Sequence, residues 1–284
     1  MILQDEAEAL SAALPPLLVD AERLASAVSL GIHGRRKAGM GESFWQFRRF
    51  RAEDPSTAVD WRQSAKSQHL FVREREWEVA QSVWFWRDGS AGMDFKSGSV
   101  TKRGRASLLT LALASALVRG GERVALLGQP YPPASSRVTL RRMAHILEDA
   151  GDTPPLPPDA HISRNAQFVW LSDFLSPIAK IEAVLRRFTQ SGLSGYLVHI
   201  VDPAEEDFPY EGRTRFEAPG EPMTETLGRA ETVAEAYRAR FKAHAQTVAQ
   251  LGGSLGWSYL AHRTDKPPQT AMVALYAEMS GANR

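Results

Sequence analysis

From residue 79 onward, short apolar runs alternate with longer segments of helical periodicity, and this alternation constrains the fold more than any other feature. Apolar runs of strand length lie at residues 80–88, 123–128, 167–171, 195–201 and 254–261. Helical periodicity covers residues 102–119, 138–150, 178–191, 226–251 and 268–279. Strands that alternate with helices form a mostly parallel sheet with helices on both faces. The pattern therefore predicts an α/β domain over residues 79–284.

The preceding region, residues 31–78, has a different composition. Arginine is interleaved with aromatic residues over Phe44–Arg51 and again over Val59–Arg62. Residues 31–75 carry 10 Lys and Arg against 5 Asp and Glu, so the overall net charge of +1 divides into +5 for this region and −4 for the rest. We expect a basic aromatic arm with strands at residues 31–78. An N-terminal helical segment is expected at residues 1–30, interrupted at Pro15-Pro16.

Composition excludes several classes of protein. The chain has 0 Cys, so disulfide scaffolds, thiolate metal sites and cysteine nucleophiles are ruled out. Residues 1–10 contain three acids and no Lys or Arg, which is the opposite of a signal peptide. The longest apolar stretch, residues 107–118, is too short to span a bilayer. We therefore expect a cytoplasmic chain with no membrane span.

Acidic and hydroxyl residues follow the predicted strands. Asp88 and Ser90 come after the first strand, Asp173 after the third, and Asp202 after the fourth. Ligands of open α/β sheets bind at the carboxyl ends of the strands, near the point where the strand order reverses. Two carboxylates with hydroxyl oxygens are typical ligands for Mg²⁺ or Mn²⁺. A structural alternative is that each aspartate caps its own turn or the next helix.

Four motifs in order carry a resemblance to a known family. They are G-x-G-E-S-F-W-Q-F-R-x-F at residues 39–50, E-D-P-x-x-x-V-D-W-R at 53–62, F-V-R-E-R-E at 71–76 and D-x-S-x-x-M at 88–93. In order and spacing the chain resembles the domain-of-unknown-function family 58. Members of that family are von Willebrand factor A-like proteins commonly encoded beside MoxR-type AAA+ ATPases. The resemblance implies a von Willebrand factor A-like (Rossmann-like) sheet.

The resemblance further implies a metal-ion-dependent adhesion site built on an Asp-x-Ser-x-Ser turn. Asp88 and Ser90 match the first two positions of that turn, and Asp173 matches the later aspartate, with Mg²⁺ or Mn²⁺ as the implied cation. Gly92 stands where the second serine belongs, so one hydroxyl ligand is missing. The threonine of the middle loop has no clear counterpart. The candidates for that position are Ser135, Ser136 and Thr139.

From the same resemblance we expect a non-enzymatic protein-interaction module. It would act as an adaptor or assembly factor with a MoxR-type AAA+ ATPase, whose acidic side chain would complete the coordination of the cation. In the arm, the residues expected to bind a partner are Arg48, Arg49, Arg51, Asp60 and Trp61. The protein client stays unidentified.

Two alternatives use the same residues. A hydrolase could employ Asp88, Ser90 or Asp173, with His145 or His199 as base. However, the strand-end turn has Asp88 where a nucleophile elbow needs a small residue. Nucleic acid could bind the arm through phosphate contacts and base stacking. We favour packing of the aromatic residues or a protein partner over nucleic acid, because a charge run is usually a solvated surface.

Overall fold

The computed structural model describes residues 15–32, 44–50, 59, 61–66, 69–75, 81–149, 151–164, 166–219 and 224–279. Contacts divide the chain into two units, one formed by Met1–Ile32 with Gln81–Arg284 and the other by His33–Ala80. The helical segment that precedes the arm in sequence therefore belongs to the same unit as the α/β region.

Helices and strands alternate through most of the larger unit, and the elements within residues 33–80 belong to the smaller unit. In chain order the elements are α1 (Pro16–Ile32), β1 (Phe44–Arg49), α2 (Trp61–Ser64), β2 (Phe71–Arg75), β3 (Ser82–Arg87), α3 (Lys102–Arg119), β4 (Arg123–Leu126), α4 (Arg137–Asp149), β5 (Gln167–Ser172), α5 (Ile178–Gln190), β6 (Ser194–Val201), α6 (Pro203–Asp207), β7 (Thr214–Glu217), β8 (Thr224–Leu227), α7 (Ala234–Ser254), β9 (Ser258–Arg263) and α8 (Pro268–Met279). Single turns of 3-10 helix at Ala91–Asp94 and Ala230–Val233 precede α3 and α7.

Five of these strands form one parallel sheet in the order β4-β3-β5-β6-β9. The chain leaves β3 toward β4 on one side and returns to place β5 on the other side, so the strand order reverses between β3 and β5. The predicted α/β fold, a mostly parallel sheet with helices on both faces, is confirmed. Because ligands of such sheets bind where the order reverses, the loops after β3 and β5 are the place to look for function.

Side chains of the sheet alternate between two hydrophobic cores. In β3, Phe85 points into the core shared with α1, α3, α4 and α8, whereas Trp86 points into the core shared with α5 and α7. In β5, Val169 points into the first of these cores and Trp170 into the second. A sheet covered on both faces needs strands that are apolar at successive positions rather than at alternate ones. This requirement explains the continuous apolar runs in the sequence.

Helix α3 is buried on nearly all sides. Thirteen of its 18 residues are buried, because the sheet and three helices surround it. A helix that is apolar all round is expected in such a central position. None of the helices within the described ranges is long and apolar enough to cross a bilayer.

Helix α1 packs along α3 through a stripe of small and apolar residues. Ala21 and Ala25 are fully buried, and Leu18, Leu24 and Val28 lie in the same core. Small side chains allow two helix backbones to approach closely. The helix begins at Pro16, and proline is well tolerated in a first helical turn because its missing N–H needs no partner there.

The smaller unit contains an antiparallel pair of strands. β1 pairs with β2, with Arg49 opposite Phe71 and Phe44 opposite Arg75. Helix α2 is a single turn, and its Ser64 hydroxyl accepts a hydrogen bond from the N–H of Phe71 at 2.8 Å. Two of the strands expected within residues 31–78 are thus present as β1 and β2.

The structure differs from the sequence prediction at the long helix expected over residues 226–251. Residues 224–227 instead form β8, which pairs with β7 in an antiparallel hairpin, and α7 begins only at Ala234. At its other end α7 continues through Gly252, where an added Cβ would lie 2.9 Å from Leu197 Cδ1. The glycine therefore permits close packing of helix on sheet and does not end the helix.

His199 in β6 is buried among aromatic rings. Its Nδ1 lies 2.6 Å from the Tyr259 hydroxyl, and the rings of Phe174 and Phe241 pack against it. Burial is the main cause that lowers the pKa of His199 to about 4, from an ordinary value of 6.5. In the pH range between these two values, the unfolded chain binds a proton at His199 and the folded chain does not. His199 therefore makes stability fall as pH is lowered from 6.5 toward 4.

We expect His199→Gln to remove about 2 kcal/mol from the difference in unfolding free energy between pH 7 and pH 4.5. Urea titrations followed by circular dichroism at both pH values measure that difference. His145, an exposed residue of α4, supplies the control, and His145→Gln should leave the pH dependence as it is. An unchanged pH dependence in His199→Gln would contradict the assigned burial effect.

Candidate functional site

Two of the predicted metal ligands cap the turns that follow their own strands. Asp88 Oδ1 accepts a hydrogen bond from the N–H of Ser90 at 2.8 Å. In the same way, Asp173 Oδ1 accepts from the N–H of Leu175 at 3.1 Å. Each aspartate therefore has the structural role that strand-end aspartates commonly have. The parallel pairing of β3 with β5 brings the two turns side by side.

Asp88 is fully buried and tied to β5. Its Oδ2 accepts a hydrogen bond from the Ser172 hydroxyl at 2.6 Å, and Ser172 Oγ accepts one from the N–H of Phe174 at 3.0 Å. Burial, followed by the negative charge of Asp173, raises the pKa of Asp88 to about 6. The hydrogen bonds from Ser172 and Ser90 oppose this rise. A buried carboxylate whose two oxygens both accept hydrogen bonds is a structural anchor.

The carboxyl ends of the parallel strands form one edge of the sheet, the carboxyl edge. A lysine that was not predicted as a site residue lies at this edge. Lys102 is 0% exposed, and its Nζ lies 2.9 Å from Asp173 Oδ2 and also contacts Glu205 Oε1. The ring of Phe95 lies 5.9 Å from the same nitrogen. Burial by itself would lower the pKa of Lys102. The charges of Asp173 and Glu205 and their hydrogen bonds outweigh burial and raise it, so the ammonium stays charged.

Three basic residues occupy the first turn of α3, where the helix dipole disfavours cations. Lys102, Arg103 and Arg105 all lie there, and this turn contains no acidic residue. Arg105 is 7% exposed, and its guanidinium donates to the carbonyls of Thr264 at 2.9 Å and Lys266 at 2.6 Å. Arg103 pairs with two aspartates at the surface. The first turn of α3 therefore fastens several loops of the carboxyl edge.

The fourth strand end contributes a helix cap. Asp202 Oδ1 accepts from the N–H of Ala204 at 2.9 Å, and its Oδ2 accepts from the N–H of Ser97 at 2.9 Å. Glu205 completes a capping box on α6, because its Oε2 accepts from the N–H of Asp202 at 3.1 Å. Glu205 also pairs with Lys102, so it joins α6 to the first turn of α3.

The oxygen atoms at this edge do not form a site that fits a divalent cation. At Gly92 an added Cβ would lie 3.3 Å from Asp173 Oδ2 and 3.9 Å from Ser90 Oγ, so these two side chains lie on the same side of the turn. Lys102, however, already contacts that Asp173 oxygen, and Gly92 offers no hydroxyl. No group of three or more His, Cys, Asp or Glu residues able to hold a metal occurs in the described ranges.

The hydroxyls considered for the middle loop lie at the opposite edge of the sheet. Ala134 pairs with Val124, near the amino end of β4, so the residues that follow Ala134 are remote from the carboxyl edge. Ser136 Oγ accepts from the N–H of Thr139 at 3.2 Å and caps α4. The candidate role of Ser135, Ser136 and Thr139 as middle-loop ligands is therefore wrong.

The structure describes only some of the residues of the arm that were predicted to bind a partner. Arg51 and Asp60 lie outside the described residues, as does the side chain of Arg48. Arg49 ends β1 and is exposed, and Trp61 begins α2 with 66% of its surface exposed. An exposed tryptophan fits a contact residue better than a packing residue.

The residues of the hydrolase alternative are not brought together. His199 contacts the Tyr259 hydroxyl and is 1% exposed, and His145 lies exposed on α4. Neither histidine is hydrogen-bonded to Ser90 in the described structure. Nucleophilic catalysis by serine needs a base within hydrogen-bond reach.

A cavity of about 200 Å³ adjoins the Lys102 ion pairs. Gly92, Lys102 and Glu205 form one side of it. The rest of its lining is mostly apolar or aromatic and includes Phe95, Leu175, Phe208, Tyr210, Phe216 and Tyr237. Ring contacts hold these side chains in place: Phe208 and Tyr237 are tilted with centroids 4.6 Å apart, and Phe208 and Phe216 are stacked with centroids 5.6 Å apart. The aromatic cavity is therefore preformed.

The sequence patterns indicated the aspartates but not Lys102, the cation that pairs with Asp173, nor Glu205, which pairs with the same ammonium. Lys102 and Glu205 lie 103 positions apart, and no local pattern links them. One signal was present, since three basic residues in a first helical turn contradict the usual preference for acids there. Three cations in one first turn, against the preference for acids there, indicate that carboxylates or carbonyls lie nearby in the fold.

Comparisons with known proteins give a family and two similar structures. A family model described as "Protein of unknown function DUF58" matches residues 46–250. An aerotolerance-related membrane protein from Bacteroides fragilis is 17% identical, with a TM-score of 0.44 over 71% of this chain and 99% of that chain. A conserved hypothetical protein, BatB from Bacteroides thetaiotaomicron, is 14% identical, with a TM-score of 0.44 and the same coverage. None of the curated proteins matches the chain.

We expect Lys102→Met to lower the free energy of unfolding by about 3 kcal/mol, because it leaves buried carboxylates without their cation. Arg103→Met is a matched control from the same helical turn. Its partners Asp94 and Asp152 have side chains 55% and 72% exposed, so a loss below about 1 kcal/mol is expected. Urea unfolding at pH 7 measures both. Equal losses would contradict a special role for the Lys102 ammonium.

Proposed function

The chain belongs to the DUF58 family, and from this membership we propose that it is a non-enzymatic protein-interaction module that acts as an adaptor or assembly factor with a MoxR-type AAA+ ATPase. Family membership was expected from the motifs and is confirmed. The choice of ATPase is supported by the resemblance of those motifs to proteins commonly encoded beside such ATPases. The client of the complex is left open.

The observation that carries this proposal is the preformed aromatic cavity beside Leu175. Leu175 follows β5 at the carboxyl edge of the sheet and is 50% exposed, although it is a large apolar residue. It also lines the aromatic cavity. An exposed leucine next to a rigid aromatic depression resembles the anchor regions of protein interfaces, where a few apolar contacts provide most of the binding energy.

The size of the cavity supports a side chain as its occupant. A volume of about 200 Å³ is below the roughly 300–1,000 Å³ of pockets that bind drug-sized ligands or cofactors. One large apolar side chain of a partner protein fills a space of this order. Tyr210 and Tyr237 add phenol hydroxyls to the lining, which can exchange hydrogen bonds with the partner backbone.

The polar groups at the carboxyl edge support binding rather than catalysis. Both oxygens of Asp88 and both oxygens of Asp173 accept hydrogen bonds from neighbouring groups. A catalytic carboxylate needs an oxygen available to the reacting atoms. In this proposal the partner is held by burial of apolar surface and by hydrogen bonds, and no shared metal ion is required.

Leu175→Asp tests the proposal. A purified MoxR-type ATPase from the same organism is immobilised, and binding of the full chain is measured by biolayer interferometry. We expect Leu175→Asp to weaken binding by roughly tenfold or more, because a charge would be buried in the apolar contact. Val138→Asp is the matched control: Val138 is 52% exposed and begins α4 at the opposite edge of the sheet. Its affinity should equal that of the wild type.

Two results would overturn the proposal. The first is a wild-type chain that does not bind the ATPase at all. The second is binding that Trp61→Ala weakens and Leu175→Asp does not, which would move the docking surface from the aromatic cavity to the arm.

A further inference from the structure

The buried ammonium at the carboxyl edge has a role beyond holding loops together. We infer that Lys102 is a built-in cation that takes the place of a divalent metal ion, and that removing it converts this edge into a divalent-cation site. The inference concerns the chain alone and does not depend on the identity of any partner.

Geometry places the ammonium where a bridging cation would have to bind. Lys102 Nζ contacts Asp173 Oδ2 at 2.9 Å, and a Cβ at Gly92 would lie 3.3 Å from that oxygen and 3.9 Å from Ser90 Oγ. The ammonium thus binds the carboxylate oxygen that lies on the side of Gly92 and Ser90. A cation shared by Ser90 and Asp173 would need the same oxygen and would be repelled by the ammonium.

The number of free ligands leads to the same conclusion. Mg²⁺ and Mn²⁺ prefer about six oxygen ligands, part of them water. At this edge the second serine is replaced by Gly92, and the middle-loop hydroxyls lie at the other end of β4. Without the ammonium, Asp173 Oδ2 and Glu205 Oε1, which both contact it, would become available to another cation. Two carboxylate oxygens, completed by water, are suitable ligands for these ions.

The position of Lys102 in its helix also fits a cation that replaces a metal ion. A cation at the first residue of a helix is disfavoured by the helix dipole, and burial of an ammonium is costly. Lys102 bears both penalties and is fully buried. Two carboxylates, one in the turn after β5 and one in α6, compensate for them, as they would for a bound metal ion.

Isothermal titration with MnCl₂ and MgCl₂ tests the inference on the full chain. We expect no saturable binding by the wild type at millimolar concentrations. Lys102→Ser should bind one Mn²⁺ per chain at least tenfold more tightly than the wild type does, and Mn²⁺ should raise the Tm of this variant only. Lys102→Ser/Asp173→Asn should lose the gain. Arg103→Ser, which removes a neighbouring cation of the same turn, should not acquire it.

Several outcomes overturn the inference. The first is stoichiometric Mn²⁺ binding by the wild type that Asp173→Asn abolishes. The second is an equal gain in Mn²⁺ affinity in Arg103→Ser and in Lys102→Ser. The third is a folded Lys102→Ser that gains no Mn²⁺ affinity. If Lys102→Ser does not fold, Lys102→Ser/Glu205→Gln replaces it, because it buries one carboxylate fewer. A smaller but saturable gain is expected there, and its absence in the folded double variant overturns the inference.

Discussion

The carboxyl edge of the sheet depends on the contact between the Lys102 ammonium and two carboxylates. Asp173 follows β5 and Glu205 lies in α6, so one buried cation joins the ends of two strands to the start of α3. Asp88 lies close enough to Asp173 that the charge of Asp173, together with burial, raises the pKa of Asp88. Without the ammonium, two aspartates and a glutamate would share a poorly solvated space, and such groups repel one another strongly.

This arrangement follows from the order of strands. The reversal between β3 and β5 makes Asp88 and Asp173 neighbours although 85 positions separate them in sequence. The same reversal opens the crevice that other α/β proteins use for ligands. In this chain the crevice is filled from within by a side chain of α3. Beside it lies the aromatic cavity, the surface on which the proposed partner would bind.

Most of the fold could be predicted from local patterns, whereas the site could be predicted only in part. Buried strands and the helix over residues 102–119 follow from continuous apolar runs and periodicity, which reflect burial directly. The hairpin β7–β8 was missed because its strands have only four residues each and mostly polar side chains. Asp88 and Asp173 were identifiable as strand-end residues. Lys102 and Glu205 were not, since their pairing arises only when distant segments meet.

The return of the chain after β4 has a consequence for self-association. Edge strands offer unpaired backbone groups to which another molecule can add a strand. β4 has only four residues, and in a strand only alternate residues direct their backbone groups outward. Val124 already exchanges both of its hydrogen bonds, each 3.2 Å long, with Ala134. The chain therefore pairs the outward backbone groups of Val124 with its own backbone. This pairing reduces the length of edge strand to which another molecule could add a strand.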